Sequence, residues 1–108
     1  MSGEKFEKVI FESLDIIRDV PLPPTHEIWM DLYRSSEKAC EGVSIDDMQR
    51  VVKKSVPVIK KMPEERQKVA LRTVLKQPMN KLFLNMGSWI ESTEKLQVWL
   101  NNMYKDRK

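Results

Sequence analysis

The side chains that most often carry catalysis or hold a metal are scarce in this chain of 108 residues. His26 is its single histidine and Cys40 its single cysteine. A zinc site or a nucleophilic triad brings several such groups together, and the chain offers no second histidine or cysteine to pair with either residue. We therefore predict no metal site. We expect His26 to be a surface residue and Cys40 to be a buried structural thiol.

Two pairs of adjacent carboxylates are the remaining candidates for acid–base chemistry. Asp46–Asp47 and Glu64–Glu65 each lie just after a residue typical of a helix start, Ser44 and Pro63 respectively. Carboxylates in a first helical turn are stabilised by the positive end of the helix dipole, and this role explains their positions. The three glycines are too far apart to form a phosphate-binding loop. The sequence thus predicts a protein with no enzymatic activity and no cofactor.

Charge is distributed unequally along the chain, although the net charge is only +3. Residues 1–48 hold eleven acidic and five basic side chains, a balance of −6. Residues 49–108 hold five acidic and fourteen basic side chains, a balance of +9. An asymmetry of this kind between two halves favours a surface that meets a charged partner.

The basic residues concentrate in and after the stretch QRVVKKSVPVIKKMP, residues 49–63. At about 100° per residue, its apolar residues fall on one side of a helix and its cations on the other. Pro57 falls among the cations; because a proline in mid-helix lacks an N–H and clashes with the carbonyl four residues back, we expect a kink there on the solvent side. The candidate anion-binding residues, called the basic set below, are Arg50, Lys53, Lys54, Lys60 and Lys61, with Arg66, Arg72 and Lys76 adjacent.

The basic set has a plain interpretation, a solvated helix surface, and a functional one, a docking surface for a polyanion or an acidic protein. It lacks the Glu→Lys pairs four residues apart that support an exposed helix, so a nearby anion would stabilise it. The acidic first half, in the same chain or in a second copy paired as a homodimer, is one such anion. Base stacking on single strands needs aromatic residues among the cations, and residues 49–76 contain none. The nucleic-acid alternative is therefore contact with a duplex backbone.

Several apolar residues fall off the apolar stripe of their helix. Phe11 projects away from the stripe of the first helix, and Met30 lies beside the stripe of the second. Exposed apolar patches often mark contact sites, so Phe11 and Met30 are predicted to contact a protein partner. Val69 and Val98 are predicted to be exposed for the same geometric reason.

The elements that position these residues are predicted to be helices throughout. Apolar residues recur at helical spacing in six segments, and no segment alternates as a strand does. Helix starts are predicted near Pro24–Thr25 and at Ser44, and Gln77–Pro78 is predicted to end the fourth helix. The predicted fold is all-α, a single compact bundle of five or six short helices over residues 1–108, with residues 105–108 as a short basic tail.

No segment is apolar over the roughly 18 residues that a membrane-spanning helix needs, and the N-terminal stretch MSGEKFEKVI lacks the pattern of a signal peptide. We expect a soluble intracellular protein, cytoplasmic or nuclear. The predicted function is that of a non-enzymatic interaction protein, an adaptor or accessory subunit that binds another protein through its charge-segregated surface. The alternative is a nucleic-acid-binding protein that contacts the phosphate backbone through residues 50–76.

Overall fold

Six α-helices form the structure, a computed structural model that describes residues 2–85 and 93–106, with the side chains of residues 3–85 and 95–105. No strand occurs in those two ranges. The helices are α1 (Ser2–Asp19), α2 (His26–Ala39), α3 (Ile45–Lys60), α4 (Glu64–Arg72), α5 (Lys76–Asn85) and α6 (Thr93–Asp106). The prediction of an all-α bundle is confirmed.

Two helix starts lie where their capping residues predict them. The Thr25 hydroxyl accepts a hydrogen bond from the backbone N–H of Ile28, and the Ser44 hydroxyl accepts one from the N–H of Asp47, both at 3.2 Å. Each bond satisfies a donor that the first helical turn leaves without an intrahelical acceptor. In the turn after α2, Gly42 adopts a φ of 74°, a left-handed conformation that favours glycine.

The junction between α4 and α5 lies before the predicted break at Gln77–Pro78. α4 ends at Arg72, a turn covers residues 73–75, and α5 begins at Lys76. Pro78 therefore lies in the first turn of α5, where a backbone N–H has no intrahelical acceptor and its absence costs little. The prediction that Pro78 ends a helix is wrong for this reason.

α3 includes a proline in its interior and continues through it. Pro57 has no N–H to donate to the carbonyl of Lys53, yet the helix extends to Lys60 and the Lys61 N–H bonds the Pro57 carbonyl at 3.3 Å. Pro57 itself is half-buried rather than fully in solvent. The kink expected at this residue stays a prediction.

We expect Pro57→Ala to raise the free energy of unfolding by roughly 1 kcal/mol. Alanine restores the hydrogen bond to Lys53, and a proline in a helix interior costs about 3 kcal/mol relative to alanine. The larger conformational freedom of alanine in the unfolded chain offsets part of that gain. Urea denaturation followed by circular dichroism measures the change, and a less stable variant would show that packing of the proline ring outweighs the missing bond.

The apolar faces of the helices meet in one core with α3 at its centre. α3 packs on α1, α4, α5 and α6, while α2 packs on α1 and α5. Cys40 is buried in this core as expected, and burial raises the pKa of its thiol to about 11. Other fully buried side chains include Phe6, Ile10, Leu14, Ile17, Met48, Ile59, Leu71, Leu75, Met79 and Leu100.

The predicted exposure of single side chains is right at two positions and wrong at a third. His26 is exposed and Val98 is 58 % exposed, as predicted. Val69 is buried instead, because α4 is flanked by α1, α3 and α6. A short helix with three neighbours buries more of its circumference than one apolar stripe covers. The helical wheel of α4 alone therefore predicts the wrong exposure for Val69.

The C-terminal helix covers part of the segment predicted as a basic tail. α6 extends to Asp106, so Lys105 belongs to its last turn, and residues 107–108 lie outside the described residues. Across the part of the chain that the structure describes, no helix combines the length and the hydrophobicity needed to cross a membrane.

Candidate binding groove

Two residues of the basic set, Arg50 and Lys54, are paired with a carboxylate of the first helix. Glu7 on α1 accepts a hydrogen bond from Arg50 Nη1 at 3.0 Å and one from Lys54 Nζ at 3.2 Å. Arg50 Nη2 also lies 3.6 Å from Asp47 Oδ1. Because α1 packs on α3, the acidic first half of the chain neutralises part of the basic set internally.

These two cations lower the pKa of Glu7 below its ordinary range. The hydrogen bond from Arg50 contributes most to the lowering and the hydrogen bond from Lys54 comes next. The Glu7 side chain is 32 % exposed and the Arg50 side chain 50 % exposed. Solvent and salt therefore screen the interaction, and its contribution to stability is small.

We expect Glu7→Gln to lower the free energy of unfolding by roughly 0.5–1 kcal/mol at pH 7 and low salt. A carboxyl whose folded-state pKa is lowered stabilises the fold above its unfolded pKa, and this stabilisation is lost as the pH falls through the folded pKa. The difference between wild type and variant should therefore shrink below about pH 4.3. Urea denaturation at pH 7 and pH 3 measures it, with Glu12→Gln on the same helix as the control. An undiminished difference at pH 3 would contradict the assignment.

Lys60 connects the end of α3 to α6. Its Nζ donates to Asn101 Oδ1 at 2.7 Å and lies 5.9 Å from the centroid of the Tyr104 ring. A cation over an aromatic face is attracted by the ring electrons. Lys60 is therefore half-buried against α6 and not on the open face that the spacing predicted.

Arg66 holds the C-terminal end of α1. Its Nη1 donates to the backbone carbonyls of Ile17 and Val20, at 2.7 and 2.5 Å. The last carbonyls of a helix lack intrahelical donors and carry the negative end of the helix dipole, so a guanidinium is well suited to them. This predicted anion-binding residue thus bonds backbone oxygens of its own chain.

The remaining members of the basic set lie apart from one another. Lys61 is exposed at the C-cap of α3, and Lys76 is half-buried at the start of α5. Arg72 is exposed on α4, where it borders an open depression of about 350 Å³ beside Trp29 and the loop of residues 22–24. The eight residues are thus distributed over several regions of the surface.

Phe11 and Met30 are half-buried rather than exposed. Phe11 packs against the core, because α1 contacts α2, α3 and α4 and so has a wide buried arc. The prediction that Phe11 projects away from the core is wrong for the same reason as that for Val69. The predicted contact of Phe11 and Met30 with a protein partner stays a prediction. The exposed large apolar side chains among the described residues are Ile16, Leu84 and Val98, between 50 % and 58 % exposed.

An apolar groove of about 260 Å³ opens between α3, α5 and α6. α5 and α6 both pack on α3, and the Phe83 and Trp99 rings meet edge to face with their centroids 6.5 Å apart. The floor of the groove consists of buried side chains from α3 and α5. These are Val52, Met79, Leu82 and Phe83.

The walls and the rim of the groove differ in character. The walls carry three large apolar side chains that are only half-buried, Ile45, Trp99 and Met103. The rim carries Gln49, Lys53 and Asn85. Within residues 3–85 and 95–105, Lys53 takes part in no ion pair. A cation without a described carboxylate partner thus borders an apolar surface.

The groove depends on three helices that are far apart in the sequence, and the sequence patterns did not indicate it. Ile45, Gln49 and Val52 share one face of α3 at helical spacing. The mixture of apolar and polar residues on that face is the available signal, since a fully enclosed face would be uniformly apolar. Lys53 is the one member of the basic set that lines this groove among the residues described.

No group of three or more His, Cys, Asp or Glu side chains that could hold a metal occurs in the described ranges. No protein-family model, curated protein or solved structure matches the chain. The groove and the charges around it are therefore the features that bear on the function of this chain.

Proposed function

We propose that this chain is a non-enzymatic interaction protein, an adaptor or accessory subunit, that binds another protein through the groove between α3, α5 and α6. The observation that carries the proposal is the combination of large, only half-buried apolar side chains on the walls with Lys53, a cation that no described carboxylate pairs. Aromatic residues and methionine are enriched at protein interfaces. Methionine also adapts its shape to a partner, since its side chain is unbranched and flexible.

The size of the groove favours side chains of a larger partner over a small molecule. Pockets that enclose small ligands typically measure about 300–1,000 Å³ and surround most of the ligand. At about 260 Å³, this groove lies below that range. A few apolar side chains of a partner protein would fill the groove, as anchor residues do at the centre of many protein interfaces.

A duplex backbone is the alternative ligand, and the positions of the cations weigh against it. Phosphate contact draws its affinity from several cations that reach successive phosphates together. Arg50 and Lys54 bond Glu7, Lys60 bonds Asn101, and Arg66 bonds backbone carbonyls. Half of the basic set is thus already engaged within the chain, and we favour a protein partner.

Site-specific photo-crosslinking tests the proposal. A photoreactive phenylalanine analogue at Gln49, on the groove rim, is expected to cross-link one protein species in an extract of source cells. The same analogue at Glu12, exposed on α1, is expected not to. The purified partner is then titrated against wild type and against Ile45→Glu, which places a charge on the groove wall. Because glutamate is favourable in the first turn of a helix, the variant should fold, and we expect its affinity to fall at least roughly 10-fold.

Lys61→Glu is the matched control, since it removes an exposed cation outside the groove. Its affinity for the partner is expected to stay within roughly 2-fold of wild type. Cross-linking to nucleic acid, or a partner that binds Ile45→Glu as tightly as wild type, would overturn the proposal.

A further inference from the structure

Among the described residues, the groove offers no sheet edge for the recognition of an extended peptide. Its walls are helices, whose N–H and C=O groups bond within each helix except in the first and last turns. Strand addition needs a free sheet edge, and the described ranges contain no strand. Whatever lies in the groove is therefore held mainly by its side chains.

The occupant must also satisfy its own backbone hydrogen bonds. The polar side chains at the groove are limited to the rim, at Gln49, Lys53 and Asn85, among the described residues. Leaving a buried N–H or C=O without a partner carries a penalty, and an extended segment laid over the walls would bring several such groups. An α-helix bonds its own backbone and can bury an apolar face without these penalties.

The charge at the groove rim indicates which charged residues should border the apolar face of the bound helix. Lys53 stands at the rim without a described carboxylate partner. The net charge of the chain, +3, also favours acidic segments over a longer range and speeds their association. A cationic segment would be repelled by both.

We infer that the groove binds an amphipathic α-helix of another protein, with an aspartate or glutamate at the border of its apolar face that pairs with Lys53. This inference rests on the proposed function and specifies the partner segment. Large apolar side chains about one helical turn apart enter the groove between Ile45, Trp99 and Met103. The carboxylate lies over the rim of α3 and sets the position and direction of the helix, because a charged pair at an interface fixes register more than it adds affinity.

Selection from a random peptide display library against the immobilised full chain tests the inference. Peptides of about 16 residues are long enough to form a helix on binding. The enriched peptides are expected to carry large apolar residues at i, i+3 or i+4, and i+7, with an acidic residue beside them. They should gain helical circular dichroism on binding and lose at least roughly 10-fold in affinity for Ile45→Glu.

A charge exchange tests the pairing with Lys53. Lys53→Glu should weaken a selected peptide about 5-fold, while Lys61→Glu should change its affinity by less than about 2-fold. Replacing the acidic residue of the peptide by lysine should restore binding to Lys53→Glu, since a double-mutant cycle isolates the interaction of the two residues.

The outcomes separate this inference from the proposed function. Peptides that depend on Ile45 but bind without helix, or without an acidic residue, overturn the inference and leave the groove as a binding site. Equal losses for Lys53→Glu and Lys61→Glu overturn the pairing with Lys53 in the same way. If no enriched peptide loses affinity for Ile45→Glu, both the inference and the proposed function are wrong.

Discussion

Leu100→Ala is expected to lower the free energy of unfolding by about 2–5 kcal/mol. Leu100 is fully buried on α6, and truncating a buried leucine removes favourable burial and leaves a cavity that the surroundings refill only in part. α6 packs on α3 and α4, so the loss would weaken the attachment of this helix to the core. Urea denaturation measures the change from the midpoint and slope of the transition.

Val98→Ala is the control for this prediction, because it lies two residues away on the same helix and is 58 % exposed. Its effect is expected to stay within about 0.5 kcal/mol, as for most surface substitutions. Similar losses for Leu100→Ala and Val98→Ala would show that α6 is rotated or does not pack on α3. One wall of the groove would then be absent.

Arg66→Ala is expected to lower the free energy of unfolding by about 2–3 kcal/mol. The half-buried guanidinium donates to the carbonyls of Ile17 and Val20. Hydrogen bonds from a charged donor contribute about 1.5–3 kcal/mol each, and the carbonyls left behind would lack partners. Both hydrogen bonds come from the same nitrogen atom. The loss is therefore expected to be smaller than the sum of two separate hydrogen-bond contributions.

Two further variants specify the reason for the loss. Arg66→Lys keeps the charge at the end of α1 but not the planar fork of donors, and should recover only part of the stability. Lys68→Ala removes an exposed cation of the same helix and should change stability by less than about 0.5 kcal/mol. If Arg66→Ala unfolds like wild type but binds the partner weakly, Arg66 belongs to the binding surface and its bonds to α1 matter little.

Local features of the fold could be predicted because their causes lie within a few residues. Thr25 and Ser44 cap the helices that they precede, and each needs only the next three residues to do so. The end of α4 could not be predicted in this way. It lies at a turn without glycine or proline at residues 73–75, and the nearby Pro78 indicated a break although it is tolerated in the first turn of α5.

The placement of the cations could not be predicted because their partners are distant in the chain. Glu7 is 43 residues from Arg50, and Arg66 meets α1 only because α4 packs on that helix. Helical spacing places such residues on a side of their own helix but does not say which helix faces that side. The same limit applies to Phe11, whose helix has more neighbours than one apolar stripe indicates.

The groove could not be predicted from the sequence for the same reason. Ile45, Phe83 and Trp99 come from three helices, and their convergence follows from packing on α3 rather than from any local pattern. What the sequence did indicate is the basic second half to which Lys53 belongs. The structure adds the apolar groove beside this cation, which we propose as a binding site.

The most direct test of the groove as the binding site is a nuclear magnetic resonance titration. The isotope-labelled chain is titrated with the partner that the cross-linking experiment identifies, purified as a free protein. We expect the largest shifts at Ile45, Gln49 and Lys53 on α3 and at Trp99 and Met103 on α6, with small shifts at Lys61. Shifts concentrated instead at Arg72, Lys68 and Trp29, or spread over the basic set without the groove, would contradict the account.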